Sequence, residues 1–267
     1  MKEEQIRETV RNRYGRIAKT NSCGCGCCGG ASQTSEAIGY SKDDLNSVPQ
    51  GANLNLGCGN PIALSSLKEG EVVVDLGSGG GLDCFLASKM VGASGKVIGI
   101  DMTAEMLDKA RTNCKKGGYE NVEFRLGEIE NLPVADNTTD IIISNCVINL
   151  SPDKQKVFNE AYRVLKPKGR LMISDMVLLD ELPEKIKNNV LAYVGCIAGA
   201  EKKEDYLAKI KQAGFEQVQV VSESNALESM VDEPDIKALI EELGLTKDGV
   251  AKLSGAVVSI IVSAVKP

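Results

Sequence analysis

The sequence predicts an α/β fold in which a doubly wound, seven-stranded, mostly parallel sheet carries helices on both faces. From residue 71 onward, short apolar runs alternate with longer amphipathic segments, which is typical of strands alternating with helices. Several of the runs are almost continuous in valine and isoleucine, as expected for parallel strands buried on both faces. A chain of 267 residues, 43% of them hydrophobic, is long enough to bury such a core.

Each apolar run has the length and composition of one strand. In chain order the runs are EVVVDLG, GKVIGID, NVEFRLG, DIIISNC, GRLMISD, FEQVQVV and VVSIIVSAV. We expect residues 1–50 to hold a helix and a stretch rich in cysteine and glycine, and residues 51–225 to hold the core of the fold. Residues 226–267 are expected to add a small helical insertion and the last strand.

The first twenty residues, MKEEQIRETVRNRYGRIAKT, are charged throughout and read as a helix with Ile6, Val10, Tyr14 and Ile17 on one face. They contain no apolar core of the kind a secretory signal needs. The longest apolar tract, AVVSIIVSAV, is about half the length that crosses a bilayer. We therefore expect a soluble, cytoplasmic protein with no membrane partner.

Charge and aromatic content disfavour a nucleic-acid partner. The formal net charge is −6 and the pI is near 5.0, so no basic surface is available to attract phosphates. Aromatic residues, on which single-stranded bases stack, make up only 4% of the chain. A small-molecule substrate is the better expectation.

The chain has nine cysteines and no histidine. Four of the cysteines fall within the stretch NSCGCGCCGG, which by itself is consistent with a metal clip, a disulfide framework or a supply of thiols for chemistry elsewhere. In a reducing compartment thiols stay free, which disfavours resting disulfides. A zinc site built only from Cys23, Cys25, Cys27 and Cys28 is also disfavoured, because ligands so close in sequence rarely complete one tetrahedron.

The run VVVDLGSGGG predicts a nucleoside site, because its glycine loop follows a strand and precedes a helix. Asp101, at the end of the next strand, is placed to accept hydrogen bonds from ribose hydroxyls. Asp75 disfavours a pyrophosphate and favours a cationic group, so S-adenosylmethionine fits better than NAD. The alternative is that the glycines serve only a tight turn. A second glycine stretch, LNLGCGNP, does not lie between a strand and a helix, and we do not expect it to bind a nucleotide.

Further cofactor contacts are expected from the ends of the next two strands. The loop GEIENLP places the backbone of Glu128 and Ile129 where it can border an adenine ring. The complete predicted set of cofactor-binding residues is Asp75, Gly77, Ser78, Gly79, Gly81, Asp101, Met102, Glu128, Ile129 and Asn145.

Three cysteines outside the N-terminal stretch lie in separate motifs. Cys146 ends the fourth strand, so its thiol is expected beside the cofactor crevice, whereas Cys58 precedes the first strand and Cys196 follows the fifth. Their spacing does not form a zinc finger, and only the fold can bring them together. Each is otherwise expected to be a small buried hydrophobe, as Cys84 is, whereas Cys114 is expected on a helix surface. Tyr14 and Tyr40 are read mainly as packing residues for the N-terminal region.

The motifs LGCGNP, SNCVINLSPDK and GCIAGA, arranged around VVVDLGSGGG, resemble those of the arsenite methyltransferases. The resemblance implies a Rossmann-like class I methyltransferase fold, S-adenosylmethionine as cofactor, and Cys58, Cys146 and Cys196 as ligands of trivalent arsenic. It also implies that Cys28, or its neighbour Cys27, takes part in substrate capture or disulfide exchange. The implied partners are arsenite, methylarsenite and a glutathione- or thioredoxin-like reductant.

The absence of histidine is consistent with this chemistry. An oxygen or carbon nucleophile usually needs a base to remove its proton, whereas trivalent arsenic bound by three thiolates presents a lone pair directly. Soft thiolates also select a thiophilic centre. Two alternatives stay open at this point: a methyltransferase acting on a quinone-like carbon or oxygen nucleophile, and a thiol-based metalloid-binding protein without catalytic activity.

Overall fold

The structure is a computed structural model, which describes residues 3–20, 35–36, 38–61, 66–187, 189, 192–193, 195–225 and 234–267. All seven predicted runs form strands. They are β1 (Val72–Leu76), β2 (Lys96–Asp101), β3 (Val122–Leu126), β4 (Thr139–Asn145), β5 (Leu165–Leu178), β6 (Glu216–Ser224) and β7 (Val257–Val265).

These strands form one sheet in the order β3-β2-β1-β4-β5-β7-β6. The first five in this order pair in parallel, and β7 runs antiparallel to both β5 and β6. The sheet is therefore doubly wound and mostly parallel, as predicted. Because β1, β2 and β4 are parallel neighbours, their carboxyl ends meet at one edge, where open α/β sheets bind ligands.

Helices connect the strands and cover the sheet. They are α1 (Glu3–Thr20), α2 (Lys42–Asn46), α3 (Leu82–Val91), α4 (Ala104–Gly117), α5 (Lys154–Val164), α6 (Glu184–Lys187), α7 (Lys203–Gln212), α8 (Pro234–Leu243) and α9 (Lys247–Ala256), with a 3₁₀ turn at Ile148–Leu150. The predicted C-terminal insertion corresponds to α8 and α9. The strand that follows it, β7, lies between β5 and β6 and is an integral part of the sheet.

The core lies on both faces of the sheet. Successive residues of a strand point to opposite faces, so Val73 and Ile141 pack into one apolar cluster while Val74 and Ile142 pack into another. All four side chains have no exposed surface. This two-sided burial explains why the strand sequences are continuously apolar rather than alternating.

Helix α1 carries its apolar face towards the ligand-binding edge. Ile17 packs against Met106 of α4, and Val10 is buried in a separate cluster with the three cysteines of the predicted arsenic site. The predicted apolar face is thus buried at Val10 and Ile17 and half-buried at Ile6 and Tyr14. Among the helices of the described part of the chain, none combines the length and the apolarity needed to span a bilayer.

Candidate active site

A crevice of about 1090 Å³, open to solvent, lies at the carboxyl ends of β1, β2 and β4 beneath α1. Eight of the predicted cofactor residues line it: Asp75, Gly77, Ser78, Gly79, Asp101, Met102, Ile129 and Asn145. Two predicted residues lie outside the lining. Gly81 instead begins α3 with φ of 96°, and a Cβ there would lie 2.7 Å from the Phe85 ring. The Glu128 carboxylate is turned towards Arg7, with 3.5 Å between Oε2 and Nε.

The glycine loop has both a structural and a ligand-facing side. Gly77 has φ of 68°, and a Cβ on it would lie 2.4 Å from Val147, so the turn itself requires glycine there. Gly79, with φ of 51°, meets no atom of the described residues within 4 Å in the direction of its missing Cβ, and its N–H donates to Asp101 Oδ2 at 3.0 Å. The loop is therefore fixed against β2 while its tip stays open to the crevice.

Three carboxylates border the crevice: Asp75 and Asp83, which are buried, and Asp101, which is half-buried. Burial raises the pKa of Asp83 to about 6, although the Tyr40 hydroxyl donates to Asp83 Oδ1 at 2.7 Å. Burial, followed by the charge of Asp83, raises the pKa of Asp75 well above its usual range, and Cys84 donates to Asp75 Oδ2 at 3.2 Å. A cation in the crevice would relieve the cost of ionising these groups.

Sequence reasoning missed two members of this network. Asp83 lies two residues beyond Gly81, the last glycine of the loop, in the first turn of α3, and an acidic residue so close to the loop was the available signal. Tyr40, read as a packing residue, is buried with its hydroxyl bonded to Asp83. Cys84 is buried in an apolar cluster, as expected, but its thiol also contacts Asp75.

Asn145 connects the crevice to the loop that carries Cys58. Its side-chain N–H groups donate to the Tyr40 hydroxyl at 3.0 Å and to the Gly59 carbonyl at 2.6 Å, and its Oδ1 accepts from the Cys58 N–H at 3.1 Å. The stretch LNLGCGNP, predicted to be irrelevant to nucleotide binding, therefore borders the crevice, with Gly57 in its lining. Ser259 of β7 holds the same loop from another side, donating to the Cys58 carbonyl at 3.1 Å.

The structure brings together Cys58, Cys146 and Cys196, which we call the thiol site. All three are buried in one apolar cluster with Val10 and Met176. Cys58 and Cys146 are joined by a disulfide, with their Cα atoms 5.8 Å apart, and the Cys196 thiol donates to the Cys146 carbonyl at 3.1 Å. The expectation that thiols stay free is thus met at Cys196 but not at this pair, because the fold holds Cys58 within disulfide reach of the end of β4.

Two of these cysteines have unusual backbone conformations. Cys146 has φ of 56° and Cys196 has φ of 62°, in the left-handed region that few residues with a Cβ adopt. Conformations of this kind persist where surrounding contacts impose them, and they concentrate at functional sites. The positions of both sulfur atoms are therefore dictated by the two loops rather than by local preference.

A carboxylate that the sequence reasoning did not single out lies beside the thiol site. Oxygen of Asp175 and the sulfur atoms of Cys58 and Cys146 all lie within 4.8 Å of one another. Asp175 is inaccessible to solvent, and burial raises its pKa to about 6. Burial also raises the pKa of the Cys196 thiol, and the charge of Asp175 raises it further. The available signal was an acidic residue at the end of the apolar run GRLMISD.

Some cysteines stand apart from this arrangement. Cys114 is half-buried, and its thiol donates to the Tyr119 carbonyl at 3.3 Å, so it is less exposed than a helix-surface residue. Cys28, predicted to be catalytic, and its neighbours Cys23, Cys25 and Cys27 lie outside the described residues.

Comparison with known proteins agrees with this geometry. Residues 67–214 match the family model of a methyltransferase domain. An arsenite methyltransferase from Halobacterium salinarum is 47% identical over 242 residues, covering 86% of this chain and 62% of the relative. An arsenite methyltransferase from Aquipseudomonas alcaligenes is 37% identical over 249 residues, covering 90% of this chain and 68% of the relative.

A solved structure shows the same relationship. The crystal structure of CrArsM, an arsenic(III) S-adenosylmethionine methyltransferase from Chlamydomonas reinhardtii, superposes with a TM-score of 0.60 at 29% identity, covering 88% of this chain and 73% of that one. The chain spans about 62% of the length of the Halobacterium relative. With its seven-stranded class I methyltransferase fold, the chain belongs to the arsenite methyltransferase family.

Proposed function

We propose that this chain transfers a methyl group from S-adenosylmethionine to trivalent arsenic held by Cys58, Cys146 and Cys196, giving methylated arsenicals. The single observation that carries the proposal is the convergence of three cysteines from distant parts of the chain. Cys146 also lines the crevice that the glycine loop borders. Arsenic captured at this point would lie at the edge of the cofactor site, as an in-line displacement requires.

The residues of the crevice fit the cofactor. Among the described residues, the buried hydroxyl oxygen of Ser78 has no protein partner, and a cation beside the buried carboxylates of Asp75 and Asp83 would offset the cost of ionising them. In the proposal, Asp101 and the loop backbone at Gly79 hold the nucleoside, while Asp75 and Asp83 face the cationic end. The cofactor supplies an electrophilic methyl group on a positively charged sulfur. The proposed contacts are completed by Gly77, Ser78, Met102, Ile129 and Asn145. Gly81 and Glu128 lie outside the lining of the crevice and contribute indirectly.

The thiol site performs the capture step. Arsenite, As(OH)₃, condenses with three thiols: each S–H proton leaves with a hydroxide as water, and an As–S bond forms in its place. The product is pyramidal, with a lone pair on the side away from the sulfurs. No histidine is required, since no proton has to be removed from the nucleophile.

The disulfide between Cys58 and Cys146 supports a redox role for the same residues. Methylation formally oxidises arsenic from the trivalent to the pentavalent state, and closing this disulfide returns two electrons to arsenic. An external thiol reductant, of the glutathione or thioredoxin type, then supplies two electrons and two protons to restore the thiols. In the proposal, Cys28, or Cys27 beside it, exchanges with Cys58 in substrate capture or reduction. The need for reduced thiols favours the cytoplasm as the working compartment.

The test is a direct search for the product. Reduced protein is incubated with arsenite, S-adenosylmethionine carrying a labelled methyl group and a thiol reductant, and arsenic species are separated and identified by mass spectrometry. We expect labelled methylarsenicals from the native chain and from a Cys114→Ser control, and none from Cys146→Ser. Arsenic binding without turnover would indicate a sequestering protein. Full turnover by Cys146→Ser would refute the proposal.

A further inference from the structure

The thiol site contains a second, overlapping set of donor atoms. Sulfur atoms of Cys58 and Cys146 and a carboxylate oxygen of Asp175 lie within 4.8 Å of one another, and all three residues are buried. The two sulfurs are bonded to each other as the disulfide, so the set can surround a tetrahedral ion with bonds of about 2.0–2.3 Å only after reduction lets them separate. Cys196, the third arsenic ligand of the proposed function, does not belong to this set.

Asp175 is oriented as a ligating carboxylate would be. Its Oδ1 accepts from Asn149 Nδ2 at 2.8 Å and from the Met176 N–H at 2.9 Å, and its Oδ2 accepts from the Tyr206 hydroxyl at 3.0 Å. An ionised carboxylate offers about four acceptor positions, so one remains. Such outer hydrogen bonds are typical of metal-binding carboxylates, which they hold in a single orientation.

The charge of this set favours a divalent cation. Once the thiols lose their protons, two thiolates and one carboxylate carry three negative charges among buried residues, and buried charges require pairing or a metal. Lys154, which is also buried, offsets part of this charge but is shared with Glu201 at 4.0 Å. Thiolate sulfur and carboxylate oxygen are both among the ligands that zinc takes in proteins.

We propose that the reduced chain binds Zn²⁺, or the related ion Cd²⁺, through Cys58, Cys146 and Asp175. Binding displaces one proton from each thiol to the solvent and forms two metal–sulfur bonds and one metal–oxygen bond. The fourth position is filled by water. Because two of the three protein ligands are shared, a divalent ion excludes arsenite. The binding site stands independently of the proposed function, whereas inhibition of methylation rests on it.

The experiment uses the full chain, reduced with a phosphine that donates two electrons to the disulfide and, with water, becomes the phosphine oxide while the two thiols form. Zn²⁺ alone is then titrated, and X-ray absorption of the loaded native protein counts the ligands. We expect two sulfurs at about 2.3 Å and oxygen or nitrogen at about 2.0 Å. Three or four sulfurs, or none, would overturn the assignment without involving any variant.

Two variants separate this site from the arsenic site. Asp175→Asn is expected to weaken Zn²⁺ binding about tenfold or more while changing arsenite binding less than about threefold. Cys196→Ser is expected to do the reverse. Circular dichroism and melting temperature verify that both variants fold. Equal losses of Zn²⁺ binding in the two variants would contradict the separate ligand sets, whatever the outcome of the methylation assay.

Discussion

The thiol of Cys196 donates a hydrogen bond to the backbone carbonyl of Cys146 at 3.1 Å, although the two residues are 50 positions apart in the sequence. This contact places the third sulfur against the residue that lines the cofactor crevice. It also means that Cys196 stays a thiol while Cys58 and Cys146 form a disulfide. The arrangement fits the proposed function, in which Cys196 binds arsenic and the other two cysteines both bind it and transfer electrons.

Replacing Cys196 by serine should therefore weaken arsenite binding without affecting the cofactor. Oxygen has little affinity for a soft centre, so we expect arsenite binding to fall at least about tenfold and methylation to be largely lost. Equilibrium dialysis with elemental detection of arsenic gives the affinity, and calorimetry with S-adenosylhomocysteine gives the cofactor binding. Unchanged arsenite affinity would exclude Cys196 as a ligand.

Gly199 sets the position of the loop that carries Cys196. A Cβ at Gly199 would lie 2.1 Å from the Asn149 carbonyl oxygen, so Gly199→Ala must displace the loop from the 3₁₀ turn that follows Cys146. We expect the variant to lose about 1–3 kcal/mol of stability and most of its methylation rate, with cofactor affinity retained.

The matched control for that substitution is Gly255→Ala. Gly255 lies in α9, and a Cβ there meets no atom within 4 Å, so we expect stability to rise or stay level. Thermal unfolding and steady-state kinetics of both variants provide the comparison. Normal kinetics in Gly199→Ala would show that the loop does not need this close approach.

Asn145 should matter for stability as well as activity. Asn145→Ala removes hydrogen bonds to Tyr40, Gly59 and the Cys58 N–H, and we expect a loss of about 2–3 kcal/mol with slower methylation. The exposed Asn12→Ala serves as the control and should unfold like the native chain. Denaturant titration measures the free energies of unfolding. A loss similar to the control would mean that water replaces these bonds without cost.

Cofactor discrimination should depend on pH. The pKa of Asp83 is raised to about 6, so the carboxyl is neutral at pH 5 and ionised at pH 8. Only the ionised form attracts the sulfonium charge of S-adenosylmethionine, whereas the sulfur of S-adenosylhomocysteine is uncharged. The preference for S-adenosylmethionine over S-adenosylhomocysteine should therefore increase as the pH rises through about 6. Calorimetric titration of both ligands at several pH values measures the ratio.

The Tyr40 hydroxyl tests the cause of this dependence. Its hydrogen bond lowers the pKa of Asp83, so Tyr40→Phe should shift the midpoint of the discrimination to higher pH. A profile that is flat between pH 5 and 8 in the native chain, or a midpoint that does not move in Tyr40→Phe, would exclude Asp83 as the titrating group.

In the absence of a cation, the same carboxyl also affects folding. Because the pKa of Asp83 is higher in the folded chain than in the unfolded one, its contribution to stability is greatest below its unfolded pKa near 4 and declines as the pH rises through about 6. The bound cofactor would reverse this trend by pairing with the carboxylate.

The strands and the glycine loop were predictable from the sequence because they depend on local pattern. Runs such as EVVVDLG predict both the length of a strand and its burial on two faces, and the glycines that follow predict the turn. Cys146 was predictable for the same reason, since a residue that ends a parallel strand has a fixed place at the sheet edge.

Contacts between distant segments were not predictable in this way. Tyr40 was predicted mainly to pack, and it is only 3% exposed, but its hydroxyl also has two hydrogen-bond partners from distant segments, Asp83 and Asn145. Asp175 looked like the end of a strand, but β5 continues to Leu178 and encloses it. The disulfide depends on a loop and a strand that are 88 residues apart in sequence.

The position of β7 affects how the protein matures on the ribosome. This strand is synthesised after β6 but fits between β6 and β5, and Ser259 within it holds the backbone of Cys58, 201 residues earlier in the chain. Contacts of such long sequence separation form late in folding. A nascent polypeptide that has not yet produced residues 257–265 lacks the contact that holds the Cys58 loop, so the proposed arsenic site is complete only after those residues emerge.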